Sequence, residues 1–328
     1  MTAFTGRRAF LGGFTAAVML LSLPFLSKPA AAADAPLQIV ATTGMIADAA
    51  RQVGGDEVEV KALMGPGVDP HSYRQTRSDI VALTRADLVL WHGLYLEAQM
   101  EEFMHKLARK NVVVAVAEAL PKDALLGHED YEDKYDPHVW MDPGMWSGVV
   151  REVQRALTEA RPEAAGIFAA NADAHIADLG RLDAYAAETL AKVPESGRVL
   201  VTAHDAFGYF GEAYGFEVLG IQGISTESEA GLSRIRTLVD RLVDSNIRAV
   251  FVESSVPDRN MRALAEGASA RGHEVTIGGE LFSDAMGRDG TYEGTYLGMI
   301  DHNVTTIAGA LGANVPARGM DGKLATGS

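Results

Sequence analysis

The chain has 328 residues, 47% of them hydrophobic, no cysteine and a formal net charge of −15. That length suits one two-lobed protein or two ordinary domains, and without cysteine there is nothing to form a disulfide or to carry a lipobox lipid. The acidity argues against nucleic acid and anionic lipid headgroups as partners.

The first residues read as an export signal. Gly6-Arg7-Arg8-Ala9-Phe10-Leu11 precedes an apolar run to about Leu26, and Ala31-Ala32-Ala33 offers a small-residue cleavage site near Ala33. A transmembrane anchor needs about twenty uninterrupted apolar residues, and Pro24 and Lys28 cut this run short. The paired arginines followed by Phe10 and Leu11 fit a twin-arginine signal, with Sec export as the alternative. Cleavage would remove Arg7, Arg8 and Lys28 and no acid, taking the formal charge from −15 to −18. The mature protein is then expected in the periplasm.

From residue 37 the pattern alternates strand and helix. A β-branched run over 38–43 passes Gly44 into a helical pattern, and 58–64 reads as the next strand. It runs into Gly65-Pro66-Gly67-Val68-Asp69-Pro70-His71, a loop by composition. A helix over 78–86, a strand over 88–91, an amphipathic helix over 97–109 and a strand over 111–116 complete a first α/β lobe, 36–163. Within it, His128 sits among Glu129, Asp130, Glu132 and Asp133, either a metal-gathering loop or a solvated acidic turn. A helix is expected over 148–161. Residues 164–193, rich in alanine and leucine, read as one rigid linking helix, on the order of 40 Å long. The second lobe, 194–312, opens like the first. Strands over 198–203, 216–221, 249–253 and 274–278 alternate with helices over 206–214, 233–245, 258–271 and 293–311, and 313–328 reads as a frayed tail. The expected fold is α/β: two lobes, each a mostly parallel sheet flanked by helices, joined by one long helix.

The tripeptide Asp-Pro-His occurs twice, at Asp69-Pro70-His71 and Asp136-Pro137-His138. In each, proline fixes its own φ and restricts the residue before it, so the histidine leaves a stiffened loop. In open α/β sheets ligands collect beyond the carboxyl ends of the strands. His71 and His138 follow strands of the first lobe, His204 follows the first strand of the second, and Asp284 follows its last. Glu280 is close enough in sequence to compete with Asp284, and spacing alone does not choose between them. Three imidazoles and one carboxylate suit a borderline divalent transition metal rather than Ca²⁺ or Mg²⁺. Four protein ligands close a tetrahedral zinc site and leave no position for a reactive water, which points to binding rather than catalysis. His92, His105, His175, His273 and His302 read as structural, and Asp205 is a candidate to orient a ligand imidazole.

Four segments carry a family resemblance: 69–73 (DPHSY), 136–143 (DPHVWMDP), 202–210 (TAHDAFGYF) and 278–285 (GGELFSDA). Over nearly its whole mature length the chain resembles the TroA-like class (A-I) of solute-binding proteins, which deliver Zn²⁺ or Mn²⁺ to ABC-type permeases. The resemblance implies two α/β lobes joined by one long helix, with His71, His138, His204 and Asp284 as metal ligands, so it decides for Asp284 over Glu280. It also implies a permease as partner, no enzymatic activity and a monomer. Two departures bear on the metal. The long histidine-rich loop of many zinc members is absent, and His204 stands where many manganese members carry glutamate. An imidazole in place of a carboxylate favours Zn²⁺ over Mn²⁺. The alternatives are a zinc-dependent hydrolase, for which no His-Glu-x-x-His motif is present, and a surface adhesion protein with a structural metal. Because ligating imidazoles must be neutral, metal affinity is expected to fall as pH drops through about 6.

Overall fold

The computed structural model describes residues 1–3, 35–128, 133–228 and 230–325. The expected export signal therefore lies outside the described residues, as do residues 129–132 of the acidic loop after His128. The chain divides into residues 1–35 and a body from Pro36 onward. No helix among the described residues is long and apolar enough to cross a membrane.

The first lobe begins with β1 (Leu37–Ala41), which passes through Thr43 into α1 (Gly44–Gly54); the Thr43 hydroxyl caps the helix by accepting the Ile46 N–H. Then come β2 (Val58–Ala62), α2 (Arg77–Arg85), β3 (Leu88–Trp91), α3 (Glu101–Leu107) and β4 (Val113–Ala115). The four strands are all parallel, in the order β2-β1-β3-β4. The chain thus reverses direction across the sheet between β1 and β3, and the crevice beyond their carboxyl ends is where such a sheet holds a ligand. α3 starts four residues later than the pattern suggested. Gly93, Leu94 and Tyr95 have φ of 80°, 52° and 68° and wrap the chain around buried Glu97, whose carboxylate accepts the His92 and Gly93 N–H groups and the Thr42 hydroxyl.

α4 (Pro143–Ala160) starts five residues earlier than expected. The Asp142 carboxylate accepts the N–H groups of Gly144 and Met145, and Pro143 occupies the first helical position, where a missing N–H costs nothing. A 3₁₀ turn at Pro162–Ala164 leads into α5 (Ala165–Leu190), whose 26 residues span about 39 Å.

The second lobe contains β5 (Val199–Thr202), α6 (Gly208–Tyr214), β6 (Glu217–Gly220), α7 (Leu232–Asp244), β7 (Ala249–Glu253), α8 (Arg259–Ser269), β8 (Thr276–Leu281) and α9 (Tyr296–Ala310). β5 pairs with β6 and β7 with β8, both parallel, and β5 runs beside β7. β8 runs three residues further than expected, so Glu280 belongs to the strand.

Three apolar cores hold these elements. The largest draws on both lobes: Ile39, Ile46 and Leu90 from the first, Phe207, Phe210 and Phe251 from the second, with Phe168 and Leu182 of α5 and Met299 and Ile307 of α9 among them. One smaller core packs α7 and α8 on the second sheet, and the other packs Leu83, Met100 and Met104 on the outer face of the first. Because α5 lies against α1, α4 and α9, a wide swing of one lobe from the other would expose the shared core. Residues 313–325, expected to fray, pack back on the second lobe. Asp301 accepts the Met320 N–H, Glu293 accepts the Ala325 N–H, and Leu324 is buried.

Candidate metal centre

The structure brings His71, His138, His204 and Asp284 together, each buried, with one potential ligand atom from each lying within 4.8 Å of all the others. His71 leaves the loop after β2, His138 the loop before α4, His204 the end of β5, and Asp284 lies three residues past the end of β8. His71 Nε2 is 3.3 Å from His138 Nε2, His138 Nε2 is 3.4 Å from Asp284 Oδ1, and His204 Nε2 is 3.2 Å from Asp284 Oδ2. Four ligands about 2.05 Å from a central Zn²⁺ in a tetrahedron are about 3.3 Å apart. These three separations match the edge of such a shell, and the remaining donor pairs lie within 4.8 Å. His204 Nε2 and Asp284 Oδ1 are buried without a hydrogen-bond partner, an arrangement native structures avoid unless something else satisfies those atoms.

The rings are aimed from behind. In both Asp-Pro-His copies the aspartate closes an Asx turn: Asp69 Oδ1 accepts the His71 N–H and Asp136 Oδ1 the His138 N–H, each at 2.9 Å. Asp136 Oδ1 also accepts from His138 Nδ1 at 2.6 Å, which fixes the tautomer that leaves Nε2 facing the site. For His204 the same service comes from Glu253 at the end of β7, which accepts the backbone N–H at 3.0 Å and Nδ1 at 2.5 Å. Asp205, the sequence candidate for orienting a ligand imidazole, does not fill this place at His204; its N–H bonds to Gly223 O. Glu253 was missed by sequence reasoning, although an acid closing the apolar strand Ala249–Glu253 was a visible signal. On Asp284, Ser255 Oγ lies 3.4 Å from Oδ2 and 2.9 Å from Ser283 Oγ.

The charges favour a cation. Burial alone would raise the Asp284 carboxyl and lower the imidazoles, but Asp284 between His204 and His138 is held well below the usual carboxylate range. Against burial, the Asp136 and Asp284 carboxylates lift His138 to about 9, and Asp284 and Glu253 lift His204 well above its ordinary value. Burial lowers His71 to about 3 against the opposing pull of Asp284, and among the described residues no carboxylate hydrogen-bonds its ring. Without an ion, the surrounding carboxylates favour the protonated forms of His138 and His204. Those protons must leave when a metal enters.

The other candidates fall outside the cluster. Glu280 is exposed, and its carbonyl accepts from His302 Nε2. His92 is fully buried and hydrogen-bonds Pro137 O at 2.7 Å, bracing the loop that carries His138. His273 bonds to Ile247 O, and His105 pairs with Glu101 on its own helix. His175 is buried in α5 rather than lying on a polar face, because that side of the helix meets the rest of the core. His128 is buried too, and among the described residues no metal-ligating cluster includes it.

Comparisons with known proteins agree with this geometry. Residues 39–310 match the family described as "Zinc-uptake complex component A periplasmic" (ZnuA). The chain is 49% identical over 279 residues to the manganese-binding lipoprotein MntA of Bacillus subtilis, covering 85% of this chain and 91% of that one. It is 48% identical over 301 residues to the zinc-binding protein TroA of Treponema pallidum, covering 92% and 94%. The solved structure of that periplasmic zinc-binding protein superposes with a TM-score of 0.82 over 84% of this chain and 99% of the other, at 47% identity.

Proposed function

The chain belongs to the ZnuA family of periplasmic metal-uptake components, and from that premise we propose that it captures a divalent transition metal between its two lobes and delivers it to an ABC-type permease. The observation that carries this reading is the convergence of four buried donors, two from each lobe, on a single ion-sized point. His71, His138, His204 and Asp284 act as the ligands, and Asp136 and Glu253 orient two of the imidazoles. The cargo is Zn²⁺ or Mn²⁺. Three imidazoles around one carboxylate favour Zn²⁺, since nitrogen donors rank Zn²⁺ above Mn²⁺ in affinity. The relatives support both, TroA being named for zinc and MntA for manganese.

The lobes are taken as 36–163 and 194–312, joined by 164–193. With an apolar core common to both, capture proceeds by small movements of the ligand loops rather than wide closure. Four protein ligands leave no position for an activated water, which supports carriage over hydrolysis. Export to the periplasm is supported by the signal-like residues 1–33 and by the family.

The test is elemental analysis of protein purified from its native compartment, beside uptake by cells lacking it. One equivalent of Zn²⁺ or Mn²⁺ and an uptake defect restored by the wild type but not by His204→Ala are expected. Metal-free protein from replete cells would overturn the reading. So would chelator-sensitive turnover of an ester or amide with no uptake defect, or partner adhesion indifferent to metal.

A further inference from the structure

The two Asp-Pro-His turns are secured very differently. The one carrying His138 is clamped from the second lobe and from its own: Tyr209 Oη donates to Asp136 O at 2.8 Å, Trp140 Nε1 to Ser283 O at 2.8 Å, Tyr296 Oη to Trp140 O at 2.7 Å, and His92 meets Pro137 O. The turn carrying His71 has one hydrogen bond to the second lobe among the described residues, from Thr226 Oγ1 to Asp69 Oδ2 at 2.7 Å. Asp69 is the same carboxylate whose other oxygen holds the His71 N–H.

Thr226 is itself held. It belongs to a segment, 221–228, anchored by buried Ile221 and Ile224. Within it the Gln222 side-chain amide donates to the carbonyls of Thr226 and Ser228. The segment is also joined to the loop of the opposite ligand, His204, through Gln222 N–H to Ala203 O and Asp205 N–H to Gly223 O. Gly220 permits that approach, because a Cβ there would lie 2.6 Å from Asp205 N and 2.7 Å from Gln222 O. One residue on, the Glu227 carboxylate accepts from the Gln99 side chain of the first lobe, a second tie that touches no ligand loop.

Resting on the reading of the four residues as a metal site, we infer that Thr226 is a positioning residue for His71. It reaches across the cleft and acts through Asp69, so that strap 221–228 sets how long the ion is retained. His71 is the ligand this arrangement leaves free to depart first: among the described residues no carboxylate backs its ring, and a single hydroxyl ties its turn to the other lobe, Ser72 Oγ holding the same Asp69 oxygen from within the turn. A partner that lifts the strap would loosen His71 while His138, His204 and Asp284 remain in place, which is a route to release without opening the shared core.

The test is the rate of Zn²⁺ transfer from the loaded full chain to excess chelator, followed by stopped flow. Thr226→Val keeps the shape and removes the hydroxyl. It should release Zn²⁺ about ten-fold faster, equivalent to about 1.4 kcal/mol. Thr226→Ser should stay within two-fold of wild type, as should Gln99→Ala, which cuts only the other tie. With Co²⁺ in the site, the visible ligand-field bands of Thr226→Val should move toward those of His71→Ala, a change that loss of general stability would not produce. A wild-type release rate in Thr226→Val, an equal acceleration in Thr226→Ser or Gln99→Ala, or unshifted Co²⁺ bands would each overturn the inference. Stoichiometric Zn²⁺ binding by wild type, lost in Asp284→Ala, reports on the site itself, so the strap can fail while the site stands. A wild-type chain that binds no Zn²⁺ would remove both.

Discussion

The two halves of the metal centre are built by different devices. The first lobe offers His71 and His138 from loops, and each loop is stiffened locally by a proline and an Asx turn two residues before the imidazole. The second lobe offers His204 and Asp284 beyond strand ends, and their aim comes from side chains distant in sequence: Glu253 lies 49 residues from His204, and Ser255 lies 29 from Asp284. One half is positioned by its own sequence, the other by the assembled sheet. The second half should therefore fail with its neighbours, whereas the first should depend most on its own turns, with the ties from across the cleft, Thr226 to Asp69 and Tyr209 to Asp136, adding to them.

The largest expected effect comes from removing the single anionic ligand. In Asp284→Ala the buried imidazoles lose the charge that offsets them. Breaking such a buried set costs about 3–5 kcal/mol, so Zn²⁺ affinity by isothermal titration should drop on the order of 10³-fold, more than in His71→Ala. A His71→Ala variant weaker than Asp284→Ala would invert the ranking of the halves.

Next come the orienting carboxylates. Glu253→Gln and Asp136→Asn should each weaken Zn²⁺ binding about 10–100-fold, the usual range for partners of metal-ligating histidines. The contrast predicts that Glu253→Gln is the worse. Each acid supplies both the backbone and the ring contact of its imidazole, but the turn of His138 keeps its proline, His92 and Tyr209 when Asp136 changes. Equal losses would mean that the local turn adds nothing to what the carboxylate gives.

Acidity separates the halves in another way, because the imidazoles are shifted in opposite directions. His71, lowered to about 3, is ready to bind at any working pH, whereas His138, lifted to about 9, and His204 hold protons that the ion must displace. Affinity should thus rise with pH from 6 toward about 9, by at least ten-fold per unit for one proton displaced, and then level off. This moves the sensitive window above the value near 6 that an unperturbed histidine gives. The sign for stability is opposite. A raised imidazole pKa stabilises the metal-free chain fully below its unfolded value of about 6.5, and that contribution is lost as pH rises through about 9. The gap in melting temperature between loaded and metal-free protein should therefore widen over the same range. A gap that stays constant from pH 6 to 9 would contradict the proton competition.

What was legible in the sequence follows the same division. The Asp-Pro-His turns were readable because proline and aspartate act within three residues, and the alternating strands and long α5 were readable because periodicity is local. Helix starts were displaced where a side chain did something the pattern does not encode: Asp142 capping α4 five residues early, and Glu97 drawing the chain into a turn before α3. The acid ending β7 was visible, but its pairing with His204 was not, because that partner follows β5 and only the packing of β5 beside β7 joins them. The Asp69–Thr226 tie spans 157 residues, and nothing in either segment announces the other.

The smallest expected effect is also the sharpest check on how the second half is selected. Glu280 and Asp284 are four residues apart, both acidic, and equivalent by spacing. The structure separates them because β8 continues through Leu281. Strand alternation turns Glu280 outward while Leu281 goes into the core, and only after the strand ends can the chain bend Asp284 back over the site. An exposed side chain of this kind changes stability or binding by no more than about 0.5 kcal/mol, so Glu280→Gln should leave Zn²⁺ affinity within about two-fold of wild type. A loss comparable with that of Asp284→Ala would mean that β8 slips register when metal binds, bringing Glu280 inward. The second lobe would then owe its ligand to a moving strand rather than a fixed strand end.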